Sequence, residues 1–304
     1  MTLQSDIQTI IDESGIQAGV SVWHIERDEQ TDVNGDQPFP MASVFKIPIL
    51  ATAGKQLKEG RISLDTRIEL KDADKSAGSG ILPYFEAGLN PTVRDLLTLM
   101  IIISDNTATD MTVELLGGAQ VVESYMHEIG LGDIYFKMNC KDLLKTLFPA
   151  DIAERPLEEI RDWAAENDIV RDGTAFSTGP DNNVSTANAM TQLVHMIFQS
   201  EIVDGAIRDE LLNILLKQQF NVRLSRFLPP NVAFAHKTGT IGGIRNDSGV
   251  IYINDDSHVI VTLFVWWDDQ AVWQQPEAEH QRIFEVETAM GKIGKLVYDH
   301  YNNL

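Results

Sequence analysis

The chain has 304 residues, 43% of them hydrophobic and 23% charged, and 45 acidic against 24 basic side chains give a net charge of −21. That length accommodates one large domain or two smaller ones, and the acidic surface disfavours nucleic acid and anionic membranes as partners. A lone cysteine, Cys140, excludes an internal disulfide.

Leu3, Ile7, Ile10 and Ile11 recur at helical spacing, so the chain opens with an amphipathic helix. The segment from Met1 to Asp6 has neither a basic start nor a long apolar core, so no signal peptide is expected. The compartment is left open: cytoplasmic as written, secreted or periplasmic if this is a mature end. Gly19 to Ile25 reads as a strand, and Asn34-Gly35 as a hairpin turn. From Ser43 to about Phe220 the pattern is largely helical. Asn90-Pro91-Thr92 begins one helix, with Asp95 as the acid of a capping box. Its body, Leu96 to Ile103, is apolar on every side and belongs in the middle of a domain, although it is too short to cross a bilayer.

After Pro229-Pro230 strands return over Val232 to His236, Ser248 to Asn254 and His258 to Trp267, separated by Gly242-Gly243 and Asp255-Asp256. A last helix, about Glu279 to Tyr301, aligns Ile283, Val286, Met290, Ile293 and Val297. The expected fold is α/β (α+β). An antiparallel sheet flanked by terminal helices is built from residues 1–40 and 218–304, with an all-helical domain, residues 41–217, inserted between them and the active site at their interface.

Three short motifs carry the chemistry. In Ser43-Val44-Phe45-Lys46, at the start of a predicted helix, residues three apart share a face, so the lysine amine can reach the serine hydroxyl. A serine attacks only when a neighbour takes its proton, and an amine does so only with a depressed pKa; desolvation and a second nearby cation supply that. Ser104-Asp105-Asn106 then ends the buried helix, and Lys237-Thr238-Gly239-Thr240 lies on a predicted strand. The histidines show no metal-ligand spacing, so neither a metal nor another cofactor is expected.

With these motifs in this order the chain resembles class A β-lactamases and related penicillin-recognising serine hydrolases. Ser43 and Ser104 are 61 positions apart, close to the family's separation. Ser104 and Lys237 are 133 apart, longer than the family's by roughly thirty. Gly117-Gly118 and the run from Asn183 to Met190 also look like the family.

The resemblance implies a role for each residue. Ser43 is the nucleophile, Lys46 its base, and Ser104 the donor to the leaving nitrogen. The backbone N–H groups of Ser43 and Thr240 form the oxyanion hole. Asn106 holds the substrate's side-chain amide and orients Lys46. Lys237, Thr238 and Thr240 grip a substrate carboxylate, and Gly239 permits close backbone approach. Arg223 lies where some members place an arginine facing that carboxylate, with Arg245 as its rival. Asp105 is expected to brace its loop, and His236 to point to the face opposite Lys237.

The pattern breaks at one place. The family's Glu-x-x-Leu-Asn loop, whose glutamate activates the deacylating water, is missing. Counting forward from Ser104 lands on Cys140; the nearest substitutes are Asp142, Glu166, Asp168 and Asp172, with Glu166 on an ordinary amphipathic helix from Pro156 to Asn167. The extra residues, about Lys141 to Asp172, are expected to reshape one rim of the cleft. The leading expectation is a β-lactam hydrolase working through an acyl-serine, on a small, carboxylate-bearing substrate and without an obligate protein partner. A small-ester or peptide hydrolase, and a penicilloyl-binding sensor, are the alternatives.

Overall fold

The computed structural model describes residues 2–303, apart from the side chains of Leu157 and Arg161; Met1 and Leu304, the outermost residues of the expected sheet-containing unit, lie outside it. Among the described residues seven strands form: β1 Gln17–His24, β2 Glu29–Val33, β3 Pro38–Pro40, β4 Val184–Thr186, β5 Phe234–Ile241, β6 Ile244–Asn254 and β7 Ser257–Trp266. The helices are α1 Leu3–Ser14, α2 Lys46–Lys58, α3 Val93–Ile102, α4 Asn106–Leu116, α5 Ala119–Glu128, α6 Cys140–Lys145, α7 Ala150–Ala153, α8 Leu157–Glu166, α9 Ala187–Phe198, α10 Gly205–Leu215 and α11 Pro276–Asn302. Five strands make one sheet in the order β2-β1-β7-β6-β5, every neighbouring pair antiparallel. The fold is the mixed α/β architecture expected, except that the middle segment, residues 41–217, is not all-helical: its β4 pairs antiparallel with β3, so the two segments share a small two-stranded sheet.

Strand alternation explains the layers. On β7, Val259, Val261, Leu263 and Val265 face one core with Ile7 and Ile11 of α1 and Val286, Met290, Ile293 and Val297 of α11. Ile260 and Phe264 face the other core, shared with the helices of the middle segment. Between them Thr262, also fully buried, bonds to Thr191 of α9 and Ser248 of β6, both at 2.8 Å. A hydroxyl on the buried face of a strand is tolerated because it is paired on both sides.

Helix α3 begins as expected. Thr92 Oγ1 accepts from Asp95 N at 3.1 Å, and Asp95 Oδ2 accepts from Thr92 N at 2.9 Å. It buries Leu96, Leu97, Met100 and Ile101 but leaves Leu99 and Ile102 half-buried, so it is central without being enclosed on every side.

Two expectations are corrected. The first hairpin turns at Ile25–Asp28, not at Asn34-Gly35: His24 pairs with Glu29, and Asp28 takes the left-handed conformation at φ 52°. Asn34, also at φ 52°, ends β2 instead, and its Nδ2 donates to Ala18 O at 3.0 Å as the chain turns towards β3. Strand β6 starts four residues before the expected Ser248, because Arg245, Asn246 and Asp247 are buried with their polar groups paired inward. Hydrophobicity alone conceals such a strand.

Candidate active site

Ser43 lies in a single 3-10 turn, Ala42–Phe45, that runs directly into α2. Ala42 holds φ 43°, a conformation that L residues with a Cβ seldom adopt. The turn is pinned from two sides. Asn246 Nδ2 on β6 donates to Pro40 O and Met41 O, each at 2.9 Å, while its Oδ1 accepts from Val265 N at 3.0 Å. Gly239 on β5 approaches so closely that a Cβ there would lie 2.7 Å from Met41 O and 3.0 Å from Ser43 N. Any side chain at Gly239 would therefore push the strand off the nucleophile's turn.

Behind this wall Lys46 and Lys237 are fully buried, and both donate to one hydroxyl. Lys46 Nζ donates to Ser104 Oγ at 2.9 Å, Ser104 O at 2.7 Å and Asn106 Oδ1 at 2.9 Å. Lys237 Nζ donates to Ser104 Oγ at 3.1 Å and Thr238 O at 2.6 Å. Among the described residues no hydrogen bond joins Lys46 to Ser43; the amine spends its three donors on the second motif. Ser104 receives both amines from a left-handed backbone, φ 59°. Because its oxygen accepts twice, its own hydrogen is free to be donated elsewhere.

Burial pushes both amines below the ordinary lysine range. Lys237 falls well below it, because Lys46 and Arg223 add like charge; at Lys46 the nearby Asp110 and Asp105 work against the shift. Two ammonium groups on one hydroxyl repel each other, so the pair titrates as a unit and loses a proton readily.

Ser43, Asn106 and Thr240 line a hollow of about 150 Å³, closed by Cys140, Leu143 and Leu144 of α6. A larger hollow of about 630 Å³ lies elsewhere, against Met111, Glu114 and Lys137. None of the motif residues lines it, so volume alone does not mark the site.

The remaining expected residues fall as follows. Arg223 is buried, and its guanidinium donates to Gly239 O at 2.7 Å, Asn246 O at 2.8 Å and Thr240 Oγ1, so it reaches the end of β5 from below. Its rival Arg245 folds back onto Ile244 O at 2.9 Å and Gly242 O in the β5–β6 turn; burial, then the neighbouring Arg223, pushes it down to about 10. Asp105 braces its loop, accepting from Ala108 N at 2.9 Å and from Ile81 N and Leu82 N at 2.7 and 2.9 Å. His236 points away from Lys237, bonding Asp247 at 2.7 Å and Asn221 at 3.2 Å.

Cys140, the residue that counting forward from Ser104 reached, does sit on the floor of the hollow, and burial drives its thiol upward so that it stays protonated. Asp142, Glu166, Asp168 and Asp172 do not line the hollow. Glu166 ends the exposed helix α8, and Asp168 is held by Arg171, which also pairs with Asp269. Two residues escaped the sequence reading. Asn246 left only the trace of a polar run inside a strand. Asp110 lies one helical turn after Asn106, and its carboxylate accepts from Cys140 N at 2.7 Å and Lys141 N at 3.0 Å, tying α6 to α4.

A serine beside two buried amines that converge on a second hydroxyl is an arrangement suited to acyl transfer by a serine hydrolase. The profile of the beta-lactamase enzyme family matches residues 2–301, and the chain belongs to that family, whose members are hydrolases of β-lactam cyclic amides. It is 24% identical to beta-lactamase VEB-1 of Pseudomonas aeruginosa over 98% of this chain and 89% of that protein. It is 38% identical to beta-lactamase L2 of Stenotrophomonas maltophilia over 71% of this chain and 62% of that one. Among solved structures, PBP-A superposes with a TM-score of 0.76 at 25% identity, covering 99% of this chain and 96% of that one.

Proposed function

We propose that the chain opens β-lactams through an acyl-enzyme on Ser43, acylating quickly and deacylating slowly. The cleft lies between a sheet-containing unit, residues 1–40 and 218–304, and a helical unit, residues 41–217. The observation that carries this reading is the buried network of Lys46, Ser104, Asn106 and Lys237 beside the Ser43 hollow.

In the amine form Lys46 takes the proton of Ser43 as its Oγ attacks the lactam carbonyl, and the backbone N–H groups of Ser43 and Thr240 stabilise the developing oxyanion. As the C–N bond breaks, Ser104 gives its free hydrogen to the leaving nitrogen and is reprotonated from the two amines that bond it. Asn106 holds the side-chain amide. Lys237, Thr238 and Thr240 bind the substrate carboxylate, and Arg223 braces Gly239 and Thr240 and adds positive charge beneath them. The substrate is a small molecule bearing a carboxylate.

Deacylation is the weak half. Hydrolysis of the ester needs a base beside the incoming water, and the residue on the floor of the hollow is a protonated thiol. Losing a positioned general base typically costs on the order of 10²–10⁴ in rate. A variant of PBP-A has been captured as an acyl-enzyme complex with penicillin G. An acyl-enzyme is likewise the species expected to accumulate here.

Stopped-flow mixing with a chromogenic cephalosporin, followed by intact-protein mass spectrometry, tests the reading. A burst near one product per enzyme, then a slow phase with an adduct on Ser43, is the expected result. No adduct, or one that persists in Ser43→Ala, overturns the assignment. Fast linear turnover without a burst overturns the slow release alone.

A further inference from the structure

Next to the Ser43 hollow lies a second one, of about 160 Å³, lined largely by residues between Lys141 and Ile160, within the stretch that the motif spacing marks as extra. Its floor is apolar, formed by Leu144, Phe148, Ala153 and Ile160. Ala77, Lys75, Lys141, Lys145 and Arg155 complete the lining, which contains no carboxylate among the described residues. In a chain with 45 acidic and 24 basic residues, four cations around one apolar floor stand out, although acidic side chains outside the lining pair with three of them.

The partners of these cations sit on the solvent side. Lys75 pairs with Asp72, Lys145 with Glu154, and Arg155 with Asp151 and Glu159, and those carboxylates are 79%, 73%, 74% and 56% exposed. Ion pairs so exposed are weak and exchangeable, so an anion arriving over the apolar floor can take their place. Lys141, by contrast, is fixed by its bond to Ala73 O at 2.7 Å.

The two hollows share Leu144, and Ala77 and Gly78 run along their common edge. Gly78 is at φ 88°; a Cβ there would stand 2.7 Å from Asn106 Nδ2 and 3.5 Å from Leu144 Cδ1, filling the edge between them. Asn106 Nδ2 donates to Ala77 O at 2.8 Å. The residue assigned to the substrate's side-chain amide thus stands at the entrance to the second hollow.

We infer that this second hollow is a subsite for the substrate's acyl side chain, selecting a short aliphatic chain that ends in a carboxylate. The apolar floor buries the methylenes and the cations receive the terminal anion, with the amide left at Asn106. At about 160 Å³ it is smaller than pockets that enclose a whole ligand, which suits one substituent. The inference rests on the proposed reaction at Ser43 for its substrate.

Two penicillins differing only in the side chain, hexanoyl against adipoyl, test it through the rate of Ser43 acylation followed by mass. The wild type should favour the adipoyl compound in kcat/KM by about tenfold, the scale of one charge-assisted hydrogen bond. In Lys145→Glu/Arg155→Glu, with folding checked by circular dichroism and melting, the ratio should fall to one or below. Equal rates in the wild type, or a preference that survives the charge reversal, overturns the subsite. If neither penicillin labels Ser43, the proposed reaction fails by itself, and calorimetric binding of adipamate against hexanamide decides the subsite separately. Tighter adipamate binding that disappears in the double variant upholds it; equal binding rejects it.

Discussion

Lys237 shows how one residue trades stability for chemistry. Its amine is buried, faces a second amine, and binds a hydroxyl and a carbonyl but no carboxylate. A lysine whose folded pKa is lowered stays uncharged while the unfolded chain, titrating near 10.5, is already taking up protons. Stability is therefore lost as pH falls from that value to the lowered one, and the loss persists at neutral pH. Lys237→Met should leave stability unchanged or raise it by up to about 4 kcal/mol at pH 7, with the difference shrinking as pH approaches 10.5. Urea unfolding at pH 7 and near pH 10 measures this effect. A variant much less stable than the wild type at pH 7 would show that Lys237 does not strain the fold. Reaction with carboxylate-bearing substrates should fall far more than with neutral esters; equal losses would place its action on Ser104 instead.

Among the elements, β6 decides whether the nucleophile's turn is in place. Asn246 supplies three buried bonds, to Pro40 O, Met41 O and Val265 N. Asn246→Ala removes this partner from Pro40 O and Val265 N, while Met41 O keeps its bond from Val44 N; at ~1–3 kcal/mol for each group that loses its partner, a total loss of about 2 kcal/mol or more is expected together with slower acylation. A loss under about 1 kcal/mol in urea would mean that the turn holds itself. The legibility of the sequence follows the same division. Ser43, Lys46, Ser104, Asn106 and Lys237 could be read because their chemistry demands those residue types at those spacings. Asn246 and Asp110 could not, because many polar residues can brace a loop and only the tertiary contact selects one. The first hairpin was misplaced for a related reason: Asn34-Gly35 carries the stronger turn chemistry, but the register of β1 against β2 puts the reversal at Ile25–Asp28.

At the scale of the whole molecule, the net charge of −21 sits on a fold with two apolar cores, one on each side of the sheet. Self-repulsion of that size destabilises a compact state and is screened as the Debye length shrinks from about 10 Å at 0.1 M salt to about 3 Å at 1 M. The melting temperature should climb with potassium chloride over that range. A flat response would mean that surface pairs such as Arg94–Glu210 and Lys295–Asp299 already offset the excess.

The sheet joins segments from opposite ends of the chain: Gln17 of β1 lies against Trp266 of β7, and α1 packs on α11. During synthesis on a ribosome, β1 therefore emerges with one flank unpaired and waits for nearly all the rest of the chain before its partner exists. Such distant pairings fold slowly, since closing the longest loop must precede the contacts that reward it. Lys237 also belongs to that last portion, so a nascent chain exposes Ser43 and Lys46 long before Ser104 can receive its second amine. Reactivity towards an acylating probe should consequently be absent from stalled, incomplete chains and arise together with closure of the sheet.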